Sequence, residues 1–130
     1  MATIQKEVEL AVSAEELWAR VSDVGGLSRL LNVVEKSSVD GDERSCVLAD
    51  GAELSEAIVA VDDALRRVAY TITAGPFPLE FHAASMQVSD AGGGRSTFCW
   101  TTDLKPDSLA EPFDGLMGAE VAQLGERYGT

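Results

Sequence analysis

The alternation of apolar and polar residues is clearest between Leu54 and Leu104. There ELSEAIVAVDD, RRVAYTITA, LEFHAASMQVS and RSTFCWTTDL each run with period two, separated by short turn signals. Successive side chains of a strand point to opposite faces, so this spacing predicts consecutive antiparallel strands with one buried face. Asp62-Asp63, Gly75-Pro76-Phe77-Pro78 and Ala91-Gly92-Gly93-Gly94 supply the breaks. Parity gives an inner face of Leu54, Glu56 and Ile58, then Val68, Tyr70 and Ile72, then His82, Ala84, Met86 and Val88, then Phe98, Trp100 and Thr102. The opposite choice stays open for every strand, because a slip of one residue inverts it; Ala57, Val59 and Val61 would then be the buried set.

Upstream, Ile4, Val8, Leu10 and Val12 share one side of a first strand over Thr3–Val12, interrupted by Lys6. The period then changes. Ser13, followed three residues later by Glu16, is a capping-box pattern, and Ala14, Leu17, Trp18, Val21 and Val24 recur at helical spacing until Gly25-Gly26. A short second helix carries Leu27, Leu30 and Leu31 on one side and must lean on the sheet to persist. Val33-Val34 open another strand, Asp40-Gly41-Asp42 turns it, Ser45–Ala49 returns, and Asp50-Gly51 is a strong hairpin dipeptide.

After Pro106 the spacing is helical again, with Phe113, Met117, Val121, Leu124 and Tyr128 on one face and Leu116 beside it. Ser108 and Glu111 offer a capping box, and Pro112 suits a first helical position equally well. Gly115, Gly118 and Gly125 each weaken this helix by about 1 kcal/mol relative to alanine, so packing must hold it. The order is a strand, two helices, about six strands and a long helix, which reads as α+β.

Composition narrows the partners. The 130 residues, 45% hydrophobic and 25% charged, suit a single domain over residues 1–130. A net charge of −12 repels phosphate backbones and anionic headgroups, so neither nucleic acid binding nor membrane insertion is expected. The acids are scattered, as on a solvated surface. MATIQKEVEL alternates like a strand rather than a secretory leader, which predicts a cytoplasmic location. Cys46 and Cys99 fit no zinc or CxxC spacing and are expected as buried, reduced thiols, with no metal and no cofactor. The glycine run at 92–94 leads into a strand, so it predicts a hairpin tip and not a phosphate loop. A homodimer is left open.

With these elements in place, the chain resembles the polyketide cyclase/dehydrase group of the START-like (SRPBCC) superfamily, relatives of birch-pollen-type allergens and plant abscisic-acid receptors. The carriers are the first strand running into VSAEELWARVSD, the block DGAELSEAIVAVDDALRRVAYTITAG, and FCWTTDLKP ahead of the terminal helix. The resemblance implies a helix-grip fold. In it a curved antiparallel sheet of about six or seven strands wraps a long C-terminal helix, two short helices follow strand one, and sheet and helix enclose a cavity. The chain departs from the family in having Leu30-Leu31-Asn32-Val33 where members often carry a tryptophan-proline pair. Its terminal helix is also short and glycine-rich by family standards.

The candidate site follows from the inner face. A carboxylate there is costly unless it is hydrogen-bonded, paired or wetted, which makes Glu56 informative. The resemblance implies that Glu56 faces the cavity; solvent is the alternative. His82 is the sole histidine and matches a position where relatives often carry a polar aromatic residue. It could hydrogen-bond a ligand carbonyl or act as a general base, or simply be a satisfied strand histidine. If both residues face inward, Glu56 could orient His82 and raise its basicity as a catalytic dyad. Ile58, Tyr70, Trp100, Phe113 and Met117 complete the expected ligand-binding set, with Tyr70 able to offer a hydroxyl. No GxSxG elbow is present. The expected function is binding of a small apolar or aromatic molecule, as carrier or sensor. The alternatives are a cyclase or aromatase using the same cavity, or a partner-binding protein whose cavity has collapsed. The sequence leaves open whether the chain is catalytic.

Overall fold

Strand pairing in the computed structural model, which describes residues 1–129, follows the turn signals closely. Among those residues lie β1 (Ala2–Leu10), β2 (Val34–Asp40), β3 (Glu43–Leu48), β4 (Glu53–Asp62), β5 (Arg67–Ala74), β6 (Phe81–Gly92) and β7 (Arg95–Lys105). They form one curved antiparallel sheet in the order β1-β7-β6-β5-β4-β3-β2. From β2 to β7 each strand pairs with its neighbour in sequence, whereas β1 closes against β7, with Ala2 opposite Leu104 and Leu10 opposite Ser96. Bulges at Ser55/Glu56 and Ile58/Ala60 interrupt the pairing of β4 with β5 and bend that strand. Gly51, at φ 88° in the β3–β4 turn, adopts a backbone conformation that side-chain-bearing residues rarely take.

The inner-face parity holds on all four strands of the Leu54–Leu104 stretch. Every residue assigned inward is buried or half-buried, while Val59 of the opposite set is 67% exposed. Under this face lie α1 (Ala14–Val21), α2 (Leu27–Leu30) and α3 (Ala110–Tyr128), the helix-grip arrangement. Ser13 caps α1 by accepting a 3.1 Å hydrogen bond from the Glu16 N–H. The helix stops at Val21, earlier than its apolar spacing suggested, because Val24 belongs to a separate 3-10 turn, Val24–Gly26, that leads into α2. Leu27 and Leu30 bury the inner side of α2.

Glu120 of α3 then fixes the exit from α2. Its carboxylate accepts from the Asn32 N–H at 2.9 Å and the Val33 N–H at 2.8 Å. Lys6 interrupts the apolar side of β1 for a comparable reason: its Nζ lies 2.8 Å from Asp114 and ties the strand to α3.

Two further boundaries differ from expectation. No side chain caps α3, and Ser108 sits in a preceding 3-10 turn, Asp107–Leu109, so the expected capping box does not form. Pro112 is tolerated in the first turn, where a backbone N–H has no intrahelical acceptor in any case. β3 begins at Glu43, before the expected Ser45, which adds Arg44 to the inner face.

Candidate functional site

The sheet register delivers one polar inner residue from each of four adjacent strands. Arg44 on β3 stands opposite Glu56 on β4, and Glu56 stands opposite Ile72 on β5. On β5 Tyr70 is opposite Ala84 of β6, and His82 of β6 is opposite Leu104 of β7. Between this face and the helices lies a cavity of about 60 Å³. Glu56, Tyr70, Ile72, His82, Trp100 and Thr102 form its sheet wall. Leu27 and Leu31 close one side, Phe113, Leu116 and Met117 of α3 another, and Phe77 of the β5–β6 loop completes the lining. Phe77 and Phe113 meet edge to face, ring centres 5.0 Å apart.

Arg44 and Glu56 form an ion pair, Nε to Oε1 at 2.7 Å, with both side chains removed from solvent. Arg44 also donates from Nη1 to the Val24 carbonyl at 3.2 Å, and its guanidinium carbon lies 5.0 Å from the Tyr70 ring centre. Its Nη2 is buried without a partner among the described residues. Cys46 donates its thiol to the same Glu56 Oε1 at 3.7 Å. Burial first, and the Glu56 charge second, push that thiol up to about 12, so it remains protonated and unreactive. Tyr70 accepts a 3.0 Å hydrogen bond from Trp100 Nε1, and burial raises its hydroxyl above the ordinary phenol range.

His82 is held differently. β5 and β6 pair only from Arg67/Gln87 to Tyr70/Ala84, so the Ile72 N–H lies beyond their ladder. His82 Nδ1 accepts that N–H at 3.0 Å. An imidazole accepting at Nδ1 is neutral and carries its proton on Nε2. Burial lowers the group to about 4, consistent with the neutral form.

The structure therefore brings Glu56, Tyr70, His82, Trp100, Phe113 and Met117 to one cavity, and corrects the expected arrangement in three respects. Glu56 and His82 do not form a dyad: β5 separates their strands, Glu56 pairs with Arg44, and His82 pairs with backbone. Its basicity is lowered, not raised, because burial acts without a compensating carboxylate. Ile58 does not line the cavity; it sits one inward position beyond Glu56, at the β4 bulge, and packs into the core. Cys46 is buried and free as expected, but Cys99 is only half-buried, since odd positions of β7 face outward. Arg44 is the residue the sequence reading missed. Its signal was parity with Cys46 and Leu48, visible once the strand is started two residues earlier.

Among the described residues no helix is long and apolar enough to cross a membrane. The family described as polyketide cyclase / dehydrase and lipid transport matches residues 1–127. No curated protein matches the chain in sequence. Among solved structures, the protein XoxI from Bacillus cereus is similar at TM-score 0.92 and 21% identity, over 98% of this chain and 96% of that one. A Thermobifida fusca protein is similar at TM-score 0.83 and 29% identity, over 99% and 94%. Norcoclaurine synthase from Thalictrum flavum, in complex with dopamine and hydroxybenzaldehyde, is similar at TM-score 0.71 and 21% identity, over 99% and 88%.

Proposed function

The chain belongs to the polyketide cyclase / dehydrase and lipid transport family, and from that premise we propose that it binds one small apolar or aromatic molecule between sheet and α3. The observation that carries this reading is the make-up of the cavity, an apolar lining with polar side chains on one wall and the aromatic pair Phe77 and Phe113 against it. The norcoclaurine synthase structure, alike in fold, holds two small aromatic molecules.

At about 60 Å³ the cavity admits a few waters and falls well below the range of roughly 300–1,000 Å³ usual for ligand pockets. We read it as a closed state whose mouth is the half-buried pair Phe77 and Phe113. Entry then requires Phe77 and Phe113 to part. The β5–β6 loop can move without breaking a ladder, because β5 and β6 are already unpaired beyond Tyr70. Carrier or sensor is favoured over cyclase by the state of His82. With Nδ1 engaged and the proton on Nε2, the imidazole is set to donate a hydrogen bond to a bound oxygen, and a proton-abstracting role would first require loss of the Ile72 contact.

Native mass spectrometry of the purified protein tests this, together with thermal shift against toluene and p-cresol. A bound small molecule, or a melting temperature raised by several degrees at saturating probe, is expected. Absence of both, in the wild type and in a Phe113→Ala variant with a widened mouth, overturns the proposal.

A further inference from the structure

We infer that the cavity selects neutral molecules bearing a hydroxyl, phenols and hydroxy-carbonyls above all, and rejects carboxylates; this rests on the ligand-binding reading above. Glu56 Oε1 is occupied by Arg44 Nε and Cys46 Sγ, whereas Oε2 receives no donor among the described residues. His82 Nδ1 is occupied by Ile72, whereas Nε2 has no partner there. Neither free atom is sealed in, because the buried side-chain nitrogen or oxygen left without a partner is Arg44 Nη2 alone among the described residues. Both residues line the cavity. An entering molecule thus meets one carboxylate acceptor and one N–H donor. A hydroxyl can give its proton to Glu56 or accept from His82, and a hydroxy-carbonyl can do both at once.

The same geometry disfavours charge. No lysine or arginine lines the cavity, and Arg44 is spent on Glu56, the Val24 carbonyl and the Tyr70 ring face. A ligand carboxylate would place a second anion beside Glu56 with no free cation to offset it. An ammonium could pair with Glu56, but it would face the His82 N–H with nothing to offer it and would sit near the Arg44 charge. A neutral hydroxyl engages either free atom without adding a charge.

The test is an NMR titration near neutral pH with four probes of one size: p-cresol, toluene, p-toluate and benzylammonium. The expected order is p-cresol about tenfold tighter than toluene, with both ions weaker than toluene. The paired variant Arg44→Met/Glu56→Gln removes both charges together, so no lone ion is stranded. It and His82→Phe should each reduce the ratio of p-cresol to toluene affinity severalfold. Equal or tighter binding of p-toluate or benzylammonium overturns this inference and leaves the ligand-binding reading standing. An unchanged p-cresol advantage in both variants does the same. Failure of all four probes to bind overturns both.

Discussion

Beneath one half of the sheet, Leu10 of β1, Leu17 of α1, Val88 of β6 and Phe98 of β7 meet with almost no exposure. Beneath the other half, Ile72, Phe77, Phe113 and Leu116 stay half-buried around the cavity. Two strands supply both halves, β6 contributing Val88 to one and His82 to the other and β7 contributing Phe98 and Trp100, so strand type does not separate them. What differs is the cover. α1 lies against β6 and β7 with a continuous apolar stripe, while the cavity end is roofed by the four-residue α2, a proline-bounded loop and the first turns of α3. The interior ionisable side chains gather in the hollow half. There Arg44 and Glu56 find each other and His82 finds a backbone N–H, whereas close packing around Phe98 leaves room for little besides the Ser96 hydroxyl, which donates to the Val12 carbonyl at 2.7 Å.

The contrast can be broken by mutation, most sharply in the dense half. Phe98→Ala should cost about 3–5 kcal/mol of stability, read by denaturant unfolding, since its neighbours cannot collapse into the void. A loss below about 1 kcal/mol would mean that the halves are packed alike. Glu56→Leu should cost a similar 3–5 kcal/mol by stranding the buried Arg44, and Arg44→Met added to it should recover most of the loss. Failure of the second change to rescue would show that the pair matters for more than mutual neutralisation.

Acid titration sharpens the comparison further. His82 stands near 4 in the folded chain against 6.5 when unfolded, so the unfolded chain takes up the proton first. The stability from its neutral form is complete above pH 6.5 and is lost as pH falls toward about 4, on the order of 3 kcal/mol in all. The difference between wild type and His82→Gln across that window isolates the effect from carboxylate titration, and parallel curves would contradict it. The smallest effect belongs to Phe113→Ala. Half-buried at the mouth, Phe113 should contribute only about 1 kcal/mol to stability, while its removal speeds probe exchange in NMR line shapes.

Much of this was legible in the alternation alone. Leu54, Glu56, Tyr70, His82, Trp100 and Thr102 were all placed on the inner face, because on a sheet with one buried side each position is constrained by its neighbours two away. Pairing across strands was not legible. Glu56 and His82 share a face, but only the strand order puts β5 between them and Arg44 beside Glu56. Arg44 itself stands at the turn end of its strand, where its apolar companions Cys46 and Leu48 both follow it and none precedes it. Glu120 escaped for a different reason. It lies beside the Met117–Val121–Leu124 stripe of α3, and nothing local to a helix announces that two backbone N–H groups from Asn32 and Val33 will meet it.

The pairing of β1 with β7 also governs the order in which the sheet can be assembled as the chain is synthesised. Strands β2 to β7 can zip up hairpin by hairpin, each needing only the segment just made. β1, made before all of them, must wait until residues 96–104 have emerged, and until then it offers an unpaired edge. Its glutamates and its one lysine, Glu7, Glu9 and Lys6, therefore serve twice: on the finished protein they face solvent or α3, and during synthesis they keep a waiting strand from pairing with its neighbours' copies.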